Sequence, residues 1–202
     1  MNLPNQLTVS RIGLTFLMTV FLTVSSIPFA KTLALLVFIA ASITDYWDGR
    51  LARRMNNLTA FGKLMDPLAD KVLVCAAFVS FVAMQQIVPA WVVITIMTRE
   101  FLVTGLRLLA ASGGKVMQAG WLGKHKTVWQ IVVIIVILAG LAIRDDLLPR
   151  LPPGQFVDAV MDAYGRYFHN MTYTLSLMTA MLTVVSGVVY LWQNRSLVIN
   201  EV

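Results

Sequence analysis

Charge is what this sequence has least of: 13% of its 202 residues are Asp, Glu, Lys or Arg, where a soluble domain carries about 25%. Cysteine is limited to Cys75 and histidine to His125 and His169. Cys75 lies inside an apolar run with no partner, which rules out a disulfide framework and a cysteine metal site and leaves a small buried hydrophobe. The two histidines stand far apart in connecting segments, so a histidine metal cluster is not expected. Internal repeats and low-complexity tracts are also lacking. In place of charge the chain is 58% hydrophobic with a mean hydropathy of +0.75, against about 45–50% apolar in soluble domains. Cytosolic, fibrous and disordered classes fit poorly, and an all-α integral membrane protein fits well.

Apolar runs fall at residues 12–30, 32–43, 72–88, 89–111, 128–143 and 171–192. With about 20 residues needed per crossing, they read as six transmembrane helices in a single domain over residues 1–202, with little left for a soluble one. The second run gains length if helix continues through Thr44-Asp45-Tyr46-Trp47-Asp48, and the third if it starts at Asp66-Pro67, where proline suits a first turn. Residues 2–11 are expected to form a short interfacial helix. The stretch ending at Pro28-Phe29-Ala30 has some look of a signal peptide, but it is long enough to stay as a span, and Arg11 is its only early side-chain charge. Trp47, Trp91, Trp121, Trp129 and Trp192 fall near span ends as an interfacial belt, and the methionines read as lipid-facing or core filler.

Basic residues set the orientation. The second connection holds Arg50, Arg53, Arg54 and Lys63, and the fourth holds Lys115, Lys124 and Lys126 with Arg107 just inside. The first offers only Lys31, the third nothing, and residues 144–170 mix basic with acidic groups. Both termini and the even connections are therefore expected in the cytoplasm, in a multi-pass protein of the cell (inner) membrane. The sequence pI near 9.8 follows from this asymmetry and from attraction to anionic lipid, so nucleic acid is not an expected partner.

Four of the ten acidic residues, Asp45, Asp48, Asp66 and Asp70, sit at the cytoplasmic ends of two consecutive runs, where carboxylates are unfavourable unless neutralised. Spacings of three and four put each pair on one helical face, and two connected helices packed side by side can bring the faces together. Such a nest of oxygen ligands suits magnesium, manganese or calcium rather than zinc or copper. On spacing alone an interfacial salt-bridge patch with Arg50, Arg53, Arg54 and Lys63 is equally open. Gly49 and Gly62 favour a site, because glycine in or beside a helix suggests that something bulky approaches the backbone. Arg53 would then be free to meet an anionic oxygen.

Written out, Asp45-Tyr46-Trp47-Asp48-Gly49-Arg50-Leu51-Ala52-Arg53, eight intervening residues, then Gly62-Lys63-Leu64-Met65-Asp66-Pro67-Leu68-Ala69-Asp70 resembles the signature of the CDP-alcohol phosphotransferase family at every fixed position. The resemblance implies transfer of a substituted phosphate from a CDP-linked donor to an alcohol with release of CMP. It implies two magnesium ions, with manganese possible, bound by Asp45, Asp48, Asp66 and Asp70 and stabilising an in-line displacement. By the same resemblance Asp70 is also the general base for the acceptor hydroxyl. Gly49, Ala52 and Gly62 would clear space for the cytidine, and Arg53 and Thr59 would hold the diphosphate. The segment Pro4-Asn5-Gln6-Leu7-Thr8 is similar to one that closes over the nucleotide, which makes Asn5 and Thr8 candidates, with plain helix capping an equal alternative. A homodimer is also implied by resemblance alone.

The acceptor must be read elsewhere. Arg107, Lys124 and Lys126 can form a basic cluster for a phosphate monoester, or an ordinary positive-inside loop; His125 is a weaker phosphate contact. The Asn-Leu-Pro-Asn start, Arg99-Glu100 and Gly123-Lys124-His125-Lys126-Thr127 are similar to the family branch that joins CDP-diacylglycerol to sn-glycerol 3-phosphate. Glu100, inside a span, is expected to pair with Arg99 or another nearby base. Phosphatidylglycerol, serine or an inositol phosphate are the alternative acceptors. A prenyltransferase would need more spans than this length allows, and a divalent-cation transporter would place its acids mid-membrane.

Overall fold

The computed structural model describes the backbone of residues 3–24, 26–55, 60–84, 87–112 and 121–195, and the side chains of residues 9–24, 26–44, 71–84, 87–111, 123 and 125–195. Within these residues the chain is helical: α1 Leu3–Thr23, α2 Ala30–Met55, α3 Ala60–Ala83, α4 Ala90–Ser112, α5 Trp121–Leu141 and α6 Gln155–Gln193. Each apolar run lies mainly on its own helix, so the expected number and order hold. The boundaries shift in three places, each with a local cause.

No separate interfacial helix forms at the amino terminus. Pro4 falls in the first turn of α1, where its missing N–H is tolerated, and no breaker follows before Ile12, so the lead-in is continuous with the first apolar run. That run then stops at Thr23, short of Ala30. The turn after it contains Pro28 and Phe29, the only described non-glycine residue with positive φ, at 57°. Such a conformation is strained for an aromatic side chain, and the Arg150 guanidinium lies over the Phe29 ring at 3.8 Å.

At the other end of the chain, most of residues 144–170 are ordered helix. Helix α5 widens into a π-helix over Ala142–Leu147 and tightens into a 3₁₀ turn over Leu148–Arg150. Pro152 and Pro153 stop it by removing consecutive backbone donors, and α6 begins at Gln155 and runs for 39 residues. His125 and His169 consequently lie on α5 and α6 rather than in connections. The α5 extension is tied to the α1–α2 turn: Asp146 Oδ2 accepts the Thr32 N–H and hydroxyl, both at 2.7 Å, and Arg150 Nε donates to the Asp146 carbonyl at 2.9 Å.

Helix α1 packs against α2 and α3, α2 against α5, α3 against α4, and α6 against both α4 and α5. The core joins Met18 and Leu22, Phe38, Phe78 and Phe81, Ile96, Ile134 to Leu141, and Phe168. Large apolar side chains also point outward from every helix, among them Phe16, Leu36, Val79, Ile94, Val128 and Val188. That surface is the reverse of a water-facing one. Among the described residues α6 is long and apolar enough to cross a membrane, and Val9–Thr23, Ala30–Thr44 and Lys71–Ala83 are shorter apolar stretches.

Helix α6 meets its neighbours through a stripe of small hydroxyl residues. Thr172, Ser176, Thr179, Thr183 and Ser186 are all buried, alternate in steps of four and three, and so share one face. Small side chains let helices approach closely, and their hydroxyls can bond within or across helices. Thr179 accepts the Trp129 indole N–H of α5 at 3.1 Å, and Ser186 accepts Arg99 of α4 at 2.9 Å. Trp129 is thus half-buried between helices and does not join an outward belt, whereas Trp91 and Trp192 are exposed.

Two glycines lie under neighbouring side chains. A Cβ on Gly187 would come within 2.9 Å of the Arg99 Cγ, and one on Gly140 within 2.2 Å of the Phe168 ring. Gly140→Ala is therefore expected to lower the thermal midpoint of the detergent-purified protein, by an overpacking penalty of about 1–3 kcal/mol. An unchanged midpoint would mean that the Phe168 ring swings aside without loss.

Candidate active site

A carboxylate buried in an apolar helix is tolerable only with cationic or hydrogen-bonding partners. Glu100 of α4 is 2% exposed and has several. Lys71 Nζ of α3 lies 2.7 Å from Oε2, Lys126 Nζ of α5 is paired with Oε1, and Arg99 Nη1 approaches Oε1 at 3.6 Å. The Gln130 amide donates to Oε1 at 3.5 Å. Lys126 and Gln130 are four positions apart on α5 and therefore share a face. The expectation that Glu100 pairs with Arg99 or a nearby base holds, with Lys126 the base at its side. Among the described residues this one carboxylate thus faces two lysines and an arginine.

Beside it lies a cavity of about 180 Å³, lined by polar groups of Arg11, Ser42, Lys71, Glu100, Thr127 and Gln130 and by apolar Leu73, Val74 and Ile131. It has room for several waters or a small polar molecule. Among the described residues the buried Ser42 Oγ has no hydrogen-bond partner. Cys75 is buried at the same wall and is a free thiol, as its place in an apolar run predicts.

The cavity sits where α2 and α3 begin their acidic segments. Ser42 is three residues before Asp45 on α2, and Lys71 directly follows Asp70 on α3. The backbone of Asp45, Asp48, Gly49, Ala52 and Arg53 is helical in the last turns of α2, and that of Gly62, Asp66 and Asp70 in the first turns of α3. The spacings of three and four are thus helical spacings, as read from the sequence. The side chains of these residues lie outside the described ones, as do those of Asn5 and Thr8 on α1 and Lys124 on α5, and Thr59 lies outside altogether.

The expected basic cluster takes a different form among the described residues. Lys126 is buried on Glu100, while Arg107 Nε donates to the Tyr190 hydroxyl of α6 at 3.3 Å with its guanidinium 5.2 Å from the ring centre. Positions 124 and 126 are two apart on a helix, which turns them about 200° from each other. His125, between them, is exposed. Lys71 and Gln130 are additions that the sequence reading did not single out; the four-residue spacing of Lys126 and Gln130 and the adjacency of Lys71 to Asp70 were the available signals.

A family model described as CDP-alcohol phosphatidyltransferase matches residues 1–184. The chain is similar to proteins named CDP-diacylglycerol--glycerol-3-phosphate 3-phosphatidyltransferase from three organisms. It is 44% identical to that of Bacillus subtilis (strain 168) over 148 residues, which cover 68% of this chain and 76% of the relative. The corresponding values are 39% over 144 residues for Escherichia coli (strain K12), covering 68% and 76%, and 37% over 141 residues for Rickettsia bellii (strain RML369-C), covering 69% and 76%.

Proposed function

Because the chain belongs to the CDP-alcohol phosphatidyltransferase family, we propose that it transfers the phosphatidyl group of CDP-diacylglycerol to sn-glycerol 3-phosphate, releasing CMP. What carries this reading is the match over residues 1–184, which contains the whole Asp45-to-Asp70 spacing, together with relatives of that activity at up to 44% identity. The basic side chains around Glu100 and the polar cavity beside them suit an acceptor that is both anionic and hydroxylated.

All six helices cross the bilayer in this reading, with both termini cytoplasmic, in the cell (inner) membrane. The outward apolar side chains on every helix support it, and the basic connections set the orientation. Following the family, the protein works as a homodimer. The donor's acyl chains stay in lipid while its headgroup enters between the acidic ends of α2 and α3.

Asp45, Asp48, Asp66 and Asp70 form an oxygen-only donor set at helical spacing, which fits magnesium and also manganese. Bound there, two such ions supply positive charge to the diphosphate and to the departing CMP. Asp70 takes the proton from the acceptor hydroxyl. Arg53 and Thr59 hold the diphosphate, Gly49, Ala52 and Gly62 leave room for the cytidine, and Asn5 and Thr8 close over it. Lys126, paired with Glu100, stands on the acceptor side of this arrangement.

CMP release by the purified protein with CDP-diacylglycerol and magnesium tests the reading, with glycerol 3-phosphate, serine, an inositol phosphate and phosphatidylglycerol offered in separate reactions. Release only with glycerol 3-phosphate is expected. Release with another acceptor would overturn the acceptor, and silence with all four from a folded protein would overturn the transferase reading.

A further inference from the structure

We propose that Ser42 is a specificity-determining residue for the acceptor: its hydroxyl, at the wall of the cavity that α1 to α5 line together, hydrogen-bonds the hydroxyl next to the attacking one in a phosphorylated vicinal diol. The proposal rests on the transfer reading above and deepens it, by naming a group that reads the acceptor's carbon chain rather than its phosphate.

A hydroxyl inside an apolar helix commonly donates to a carbonyl three or four residues earlier on the same helix. Thr44 does so on α2, to the Ala40 carbonyl at 2.8 Å, and Thr15, Thr95 and Thr183 do the same on α1, α4 and α6. Ser42, two positions from Thr44, does not: among the described residues it carries the one hydroxyl that is buried without a hydrogen-bond partner. Leaving such a group unpaired is unfavourable, and its place at the cavity wall lets a bound molecule supply the missing partner. The other neutral polar groups at that wall already have bonds within the protein. Thr127 Oγ1 donates to the Gly123 carbonyl at 3.2 Å, and the Gln130 amide donates to Glu100 at 3.5 Å.

Position along the chain says which part of the acceptor that molecule presents. The cavity stands one helical turn from the acidic segments: Asp45 follows Ser42 by three residues on α2, and Leu73 and Val74, both at the cavity, follow Asp70 by three and four on α3. Positions three or four apart share a helical face, and at about 1.5 Å of rise per residue they are about 4.5–6 Å apart along the axis. An acceptor with its attacking hydroxyl at the proposed base Asp70 thus has its next carbon beside the cavity. The hydroxyl on that carbon can both give and take a hydrogen bond, as can Ser42. A volume of about 180 Å³ has room for it together with water.

The test compares two acceptors on the full-length, detergent-purified protein: sn-glycerol 3-phosphate, and 3-hydroxypropyl phosphate, which keeps the phosphate and the attacking hydroxyl but lacks the hydroxyl between them. A site that hydrogen-bonds a substrate hydroxyl rejects the analogue without it. The wild type should therefore favour glycerol 3-phosphate in kcat/KM by about tenfold or more, the scale of one such bond. Ser42→Ala is expected to lower kcat/KM for glycerol 3-phosphate by about the same factor while changing that for the analogue less than about twofold, so that the preference collapses. If the analogue turns over too slowly, its inhibition constant against glycerol 3-phosphate gives the same comparison. The thermal midpoint of Ser42→Ala should be no lower than that of the wild type, because the hydroxyl it removes has no partner among the described residues. A wild type that does not distinguish the acceptors, or a Ser42→Ala protein in which both fall equally, would overturn the role of Ser42 alone. So would a Ser42→Ala protein in which neither changes, the result expected if the cavity holds only water, or one whose midpoint drops. A folded wild-type protein that releases no CMP with glycerol 3-phosphate would overturn the transfer reading and this proposal with it.

Discussion

Asp70→Asn is expected to lower CMP release by about 10³-fold or more, while the protein keeps its thermal midpoint and its elution volume in detergent. The amide has nearly the shape of the carboxylate, so packing should be undisturbed, but it cannot accept the acceptor's proton. Positioned proton transfer alone contributes about 10²–10⁴-fold. Asp70 is also a proposed cation ligand, so in that reading the substitution removes a charged oxygen donor at the same time. Turnover within about tenfold of wild type, far below that range, would assign the proton to another group and leave Asp70 a structural partner of the basic residues around it.

Removing divalent cations should have an effect of similar size with no change in sequence. Chelation is expected to bring CMP release to background, and added magnesium or manganese to restore it. Zinc should restore it poorly, because the proposed donor set is all carboxylate oxygen and contains neither histidine nor cysteine. Full activity in chelator would separate the aspartates from metal binding. The salt-bridge patch with Arg50, Arg53, Arg54 and Lys63, which the spacing equally allows, would then be the better account of why acids stand at the ends of α2 and α3.

The sequence disclosed the helices more fully than their ends. Six apolar runs became six helices, the form in which a single segment closes its own backbone hydrogen bonds. Hydropathy marks only the part of a helix suited to lipid, however. It began the last run at Met171, while α6 starts at Gln155: Asp158, Asp162 and Arg166 are acceptable in a helix without being acceptable in hydrocarbon. The break after Thr23 was hidden because Pro28 and Phe29 sit within an otherwise apolar stretch, and the turn there depends on an unusual Phe29 backbone.

The site was legible to the extent that its chemistry follows helical spacing. The aspartates, three and four apart, could be placed on α2 and α3 from the sequence. In the sequence Lys126 is one of several neighbouring cations, and a run of basic residues looks alike whether solvated or buried. Its pairing with Glu100 is a contact across 26 residues and between two helices, and nothing in local composition announces which face of α5 turns inward. Lys71 escaped notice for the same reason: its role is set by what α4 brings to it.

The Arg99 arm lying across Gly187 has a consequence for how this chain can vary. Position 187 is closed to every larger side chain for as long as residue 99 sends its Cγ over it. A relative that shortens residue 99 gains freedom at 187, and one that enlarges 187 must first give up the arm and its bond to Ser186. The two positions, 88 residues apart, are therefore open to paired change and nearly shut to single change. In a library randomised at both, survivors should be enriched for glycine at 187 only where arginine stands at 99.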